Sequence, residues 1–220
     1  DSVAQAAGAR GDARIVQHSS IARQGKKIEE KYFKAHAAGE LGGDGASSNA
    51  DRYQQTKLAN VVFAYALDAE LKNRGGDYAK IKSLVAHPGV AATNLQVTTS
   101  STINSTIMKA AMKLIGNVGN QSAEDGAMGI LTCMACECGS NGKSAKGEDM
   151  TKPVESGSLW GPRGLGLIGL AEELPMETNA EWDCQNNILE WTEDSTGAGL
   201  ADWATIAGRR ACASKEEYLG

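Results

Sequence analysis

Tyr53 and Lys57 stand four residues apart in the stretch Tyr53-Gln54-Gln55-Thr56-Lys57. On a helix that spacing puts a phenol and an ammonium on one face. An ammonium beside a phenol favours the phenolate, which suits Tyr53 to general acid/base work. The pair is common on solvated helix surfaces, so its meaning rests on its surroundings. Upstream, Arg14-Ile15-Val16-Gln17-His18-Ser19-Ser20 reads as a short strand running into hydroxyls. Downstream, Ile81 to His87 reads as a second strand closed by Pro88-Gly89, followed by Val90-Ala91-Ala92-Thr93-Asn94. A hydroxyl, a phenol and an ammonium converging on one crevice suit polarisation of a carbonyl and proton transfer to its oxygen.

Those residues need a helix between two strands. Leu58, Val61, Val62, Tyr65, Ala66, Ala69 and Leu71 fall near helical spacing and predict a helix from Ala50 to Asn73, stopped by Gly75-Gly76. Strand, helix and strand form a βαβ unit, which implies a parallel sheet with ligand sites outside its carboxyl ends. The expected fold is therefore α/β, a doubly wound parallel sheet. Residues 1–13 read as a helix tail and loop, and residues 23–50 as a surface excursion, basic and then glycine-rich. Ile103, Ile107, Ala111, Leu114 and Val118 repeat at helical spacing. They predict a helix covering a pocket, favoured over one lying on a membrane surface. Further helices are expected from Ser122 to Cys136 and from Ala180 to Trp191, with Ser156 to Pro162 as the last strand. No second domain boundary is evident: residues 1–195 form one unit and 196–220 a tail.

A chain of 220 residues can bury one sizeable core. Its net charge of -5 gives no electrostatic footprint for nucleic acid. The longest uncharged run, Ser83 to Met108, is interrupted by Pro88-Gly89 and rich in Ser, Thr and Asn, so no transmembrane span is expected. Cys133-Met134-Ala135-Cys136-Glu137-Cys138 lacks a second ligand pair or nearby histidine to complete a zinc site. These cysteines read as reduced thiols at the end of a buried helix, in an intracellular protein that is soluble or peripherally membrane-associated.

With Arg-Ile-Val-x-x-Ser-Ser, Tyr-x-x-x-Lys-Leu-Ala-Asn and His-Pro-Gly-x-x-x-Thr-Asn-Leu in that order, the chain resembles the short-chain dehydrogenase/reductase family. Gly25-Lys26-Lys27-Ile28, Lys57-Leu58-Ala59-Asn60, Ser122-Ala123-Glu124-Asp125-Gly126-Ala127 and Glu190-Trp191-Thr192-Glu193 are similar to its retinol dehydrogenase and protochlorophyllide reductase branch. The resemblance implies a Rossmann-like fold and an oxidoreductase that interconverts a carbonyl and an alcohol on a hydrophobic small molecule. It implies NADP or NAD as cofactor, with NADP favoured by the branch. Tyr53 then matches the catalytic acid/base, and Lys57 the residue that tunes it and holds the nicotinamide ribose. Ser20, or its neighbour Ser19, matches the hydroxyl that orients the carbonyl, with Ser20 preferred. Tyr53, Lys57, Pro88, Gly89 and Thr93 match cofactor-binding positions, and His87 a wall residue.

A dinucleotide site also needs a strand, a glycine-rich turn and a helix N-terminus for the pyrophosphate. Only 19 residues precede Ser20, and they hold no such unit. Gly164-Leu165-Gly166-Leu167-Ile168-Gly169 is a literal Gly-x-Gly-x-x-Gly, but no βαβ unit follows it. It reads as a flexible loop beside the substrate pocket. The expectation is the catalytic portion of a reductase lacking its N-terminal dinucleotide-binding half, and not competent alone. A second expectation is a reductase remnant serving as a structural or assembly subunit. In that case a protein partner would cover the open sheet edge.

Overall fold

The computed structural model describes residues 2–25, 27–33, 49–90, 121–143, 149–164, 167–175, 188 and 192. Thr93, the segment 103–118, the glycine cluster at 39–45, nearly all of 180–191 and the tail 196–220 lie outside the described residues.

Helix α1 (Ser2–Arg10) leads into strand β1 (Ala13–His18). Helix α2 (Asn49–Arg74) matches the expected helix to within one residue at each end. It stops where Gly75 and Gly76 take φ of 67° and 55°, left-handed backbone that glycine adopts without a Cβ clash. Lys72 and Arg74 place cations in the last turn, where the helix dipole favours them. Strand β2 (Ile81–Ala86) follows, its expected bounds correct to one residue.

β1 and β2 pair in parallel, from Ala13 opposite Ile81 to His18 opposite Ala86. The two strands therefore end together, and Ser19 and His87 leave the sheet side by side. Strand β5 (Leu159–Gly164) lies parallel on the other side of β2. Alternation along these strands sorts their side chains into two layers. Ile81 packs with Ala4, Ala7, Leu67 and Leu71 of α1 and α2, while Val85 and Leu159 pack with Leu58, Val61, Val62 and Tyr65 of α2. Leu84, Ala86 and Trp160 face the opposite side, against Cys133 of helix α3 (Ala123–Ala135). Burying each large aliphatic side chain stabilises the fold by about 1.5–3 kcal/mol. Helices thus cover both faces of the sheet, as expected.

The sheet is mixed, not parallel throughout. Its strand order is β1-β2-β5-β6-β3-β4, where β3 is Cys138–Lys143, β4 Asp149–Pro153 and β6 Ile168–Leu174. β6 runs antiparallel to β5, and β4 antiparallel to β3. β5 is therefore not the last strand. The described residues of the glycine-rich run belong to these two antiparallel strands, with Gly164 of β5 paired to Ile168 of β6. β3 is Cys-Gly-Ser-Asn-Gly-Lys, a composition poor in strand formers, and its partners rather than its residues make it a strand.

Two further expectations change. The start of the 23–50 connection is not a surface excursion: Arg23, Ile28 and Tyr32 are buried. Gln55 holds this segment from α2, accepting from Glu29 N at 3.0 Å and donating to Lys27 O at 2.9 Å. Of the cysteines at the end of α3, Cys133 is buried but Cys136 and Cys138 are exposed. Burial pushes the Cys133 thiol up to about 12, against the smaller downward pull of Arg14. Arg14 reaches across from β1 to cap α3, its Nη1 donating to Cys133 O at 3.0 Å and Cys136 O at 2.7 Å.

Candidate active site

The carboxyl ends of β1 and β2 are joined by Ser19 N, which donates to Ala86 O at 2.8 Å. One turn of α2 is then tied to the same place. Ser19 Oγ donates to Lys57 O at 2.8 Å, and Asn60 Nδ2 donates to His18 O at 2.8 Å. Lys57 Nζ makes a longer contact of 3.4 Å to His18 O. The same ammonium stands 5.8 Å from the centre of the Tyr53 ring, so the i,i+4 spacing does place both groups together. Partial burial holds Lys57 below the usual lysine range. With one weak acceptor among the described residues, its ammonium keeps protons available for a ligand's hydroxyls.

The two serines differ. Ser19 is fully buried, and its proton is committed to Lys57 O. Ser20 is half-buried; its oxygen accepts from Ala22 N at 3.2 Å and caps the 3-10 turn Ile21–Arg23. Accepting that bond leaves the Ser20 proton available as a donor. The turn packs on α2, where Gln54 Nε2 donates to Arg23 O at 2.8 Å.

On the β2 side, His87 is fully buried and its backbone N–H donates to Trp160 O at 3.0 Å. Burial first, then the charges of Arg23 and His18, lower its pKa to about 3. The imidazole is therefore neutral, and Nδ1 accepts from Gly89 N at 3.1 Å, which assigns the proton to Nε2. Among the described residues Nε2 has no hydrogen-bond partner. His87 fits only because position 161 is glycine: a Cβ there would collide with Nε2. Gly89 takes φ of 67°, and a Cβ there would meet Leu167 O and Pro162 Cγ.

Ser20, Tyr53, Lys57, Pro88 and Gly89 thus all lie at the carboxyl ends of β1 and β2 or on the α2 turn bound to them. Thr93 lies outside the described residues. The donors present are the Lys57 ammonium and the Ser20 hydroxyl. Among the described residues no pyrophosphate cradle accompanies them: Gly164 and Gly169 lie in strands β5 and β6, not at a helix N-terminus. Among the described residues, no cluster of three or more His, Cys, Asp or Glu is arranged to hold a metal ion. No described helix is long and apolar enough to cross a membrane. Asn60 and the two glutamines were not expected here. Asn60 stands three residues after Lys57, so helical spacing alone could have placed it beside the strand end.

No protein-family model matches the chain, and no curated protein matches it. Among solved structures it is similar to the crystal structure of an uncharacterized protein from Mycobacterium paratuberculosis. That match has 19% identity and a TM-score of 0.50, and it covers 84% of this chain and 51% of that one. The likeness carries the fold alone: a mixed α/β architecture with a mostly parallel sheet. The chain spans about half the length of the structure it matches.

Proposed function

We propose that the chain carries the acid/base portion of a Rossmann-type, NAD(P)-dependent reductase of the short-chain dehydrogenase kind. It interconverts a carbonyl and an alcohol on a hydrophobic small molecule. The observation that carries this reading is the Tyr53–Lys57 pair on a helix turn tied by three side chains to the end of β1, beside an uncommitted Ser20 proton. A packing role alone gives no reason to keep an ammonium partly buried with a single weak acceptor among the described residues.

In this reading Ser20 Oγ donates to the carbonyl oxygen and orients it, while Tyr53 supplies the proton that oxygen needs on becoming an alcohol. Lys57 stabilises negative charge on the phenol oxygen and donates to the ribose hydroxyls. Pro88 and Gly89 form the wall along the nicotinamide. The bound cofactor supplies or accepts the hydride. NADP is favoured over NAD through the branch resemblance only. The pyrophosphate-binding half lies on residues other than those described.

A second reading, a non-catalytic structural or assembly subunit, is favoured by the position of β1. Among the described residues it pairs only with β2 and stands at one end of the sheet, an edge that another strand could extend. The two readings separate in one assay. The intact protein is offered NADPH or NADH with a series of apolar aldehydes and ketones. Dinucleotide oxidation that depends on the carbonyl supports the reductase. Absence of both dinucleotide binding and turnover supports the structural subunit.

A further inference from the structure

The Pro88–Val90 corner is gripped from three directions. His87 Nδ1 accepts from Gly89 N at 3.1 Å, and Leu167 O accepts from Val90 N at 2.7 Å. The third grip is Gln121, which stands just before the Ser122 cap of α3. Its Nε2 donates to Pro88 O, and its Oε1 accepts from Gly169 N at 3.1 Å. One side chain therefore bridges the corner to the start of β6.

The chemistry of this bridge is specific. One partner is a carbonyl that can only accept, and the other an N–H that can only donate. An amide satisfies both at once, and the two partners fix which way it points. A carboxylate would set an acceptor against Pro88 O, and an alkyl side chain would leave both groups without it. Gly89 takes left-handed backbone with no room for a Cβ beside Leu167 O, and Gly169 takes φ of 111°. The missing Cβ of Gly89 thus permits a close approach of the corner to the backbone at Leu167.

We propose that Gln121 is a positioning residue: its amide clamps the Pro88–Gly89 corner to the start of β6 and so sets the wall against which the nicotinamide cofactor binds. The clamp follows from the geometry; the ligand it serves rests on the reductase reading. Gln121 touches neither cofactor nor substrate in this account and acts through Pro88 and Gly169. Its removal should therefore weaken dinucleotide binding without slowing the chemical step once the cofactor is bound.

The test uses Gln121→Met and the near-isosteric Gln121→Glu in the intact protein. For Gln121→Met, amide hydrogen exchange at Gly169 and Val90 should quicken roughly tenfold, the weight of one hydrogen bond, with Val16 and Val85 unchanged. KM for NADPH should rise roughly tenfold while kcat at saturating NADPH stays within about twofold. Gln121→Glu should bind NADPH weakly at about pH 8 and recover as the pH falls to about 4, below the ordinary glutamate pKa of about 4.3, where the protonated carboxyl again donates to Pro88 O. Unchanged exchange at Gly169 and Val90 would overturn the clamp. Faster exchange with unaltered NADPH affinity, or no recovery of Gln121→Glu in acid, would overturn the positioning role. If the unaltered protein binds no dinucleotide, the reductase reading fails, and the exchange data still decide the clamp.

Discussion

Two corners meet at the carboxyl end of the sheet, and they differ in how far they depend on side chains that are absent. The His18–Ser20 corner is held by side chains: Ser19, Lys57 and Asn60 each reach a backbone carbonyl. The Pro88–Val90 corner has side-chain ties of its own, from His87 and Gln121, and a backbone bond from Val90 N to Leu167 O, but it depends besides on side chains that are missing, at Gly89 and Gly161. A corner built from side-chain hydrogen bonds loosens one bond at a time. A corner built on absent Cβ atoms has no such gradation, because an added Cβ must displace the Leu167 backbone at Gly89 or the buried His87 ring at Gly161.

The largest effect should come from breaking the second corner. Gly89→Ala forces a Cβ onto Leu167 O and an alanine into left-handed backbone, and should cost about 3 kcal/mol in urea unfolding. A loss below about 1 kcal/mol would show that the corner can shift, and the contrast would fail.

Next comes acid. His87 stays neutral in the folded protein down to about pH 3, whereas an unfolded histidine takes its proton near 6.5. Between those values the unfolded chain binds the extra proton, so stability rises with pH across this window. The slope is at most about 1.4 kcal/mol per pH unit, and this contribution is level above the window. In His87→Gln the slope between pH 4 and 6 should drop by most of that amount. An unchanged slope would assign the acid sensitivity to other groups.

The first corner should respond in smaller, separable steps. Ser19→Ala removes one buried hydrogen bond and should cost about 1 kcal/mol with little effect on turnover. Ser20→Ala should do the reverse, costing about 0.5 kcal/mol of stability and roughly 100-fold in turnover. Exchanged roles would move the carbonyl-orienting hydroxyl to Ser19. Asn60→Ala should cost about 1 kcal/mol and leave the β2 corner's amide exchange untouched.

The same contrast explains what the sequence could disclose. The placement of Tyr53 and Lys57 together beside the serine strand end was legible because the spacing is local: a helix fixes what stands four residues away. The βαβ core was legible for the same reason, through the apolar spacing of α2. The other half of the sheet was not. Cys138–Lys143 becomes a strand only through its neighbours, and Gly164 to Gly169 looks like a phosphate loop until β6 is seen to fold back on β5. Gln121 carried no signal, since its partners at Pro88 and Gly169 are 33 and 48 residues away. The burial of Arg23, Ile28 and Tyr32 was equally hidden, because the glutamine that anchors their segment sits inside the Tyr-to-Lys stretch and looks like ordinary helix surface.

The central claim is that Tyr53 moves the proton at a carbonyl beside a nicotinamide. Tyr53→Phe removes one oxygen from a partly exposed ring and leaves the ties between β1 and α2 in place. Dinucleotide binding and single-turnover carbonyl reduction should be measured on the same sample of the intact variant. Binding within about threefold of the unaltered protein, with reduction slowed at least ~100-fold, is the predicted result. Reduction at an unaltered rate would contradict the account.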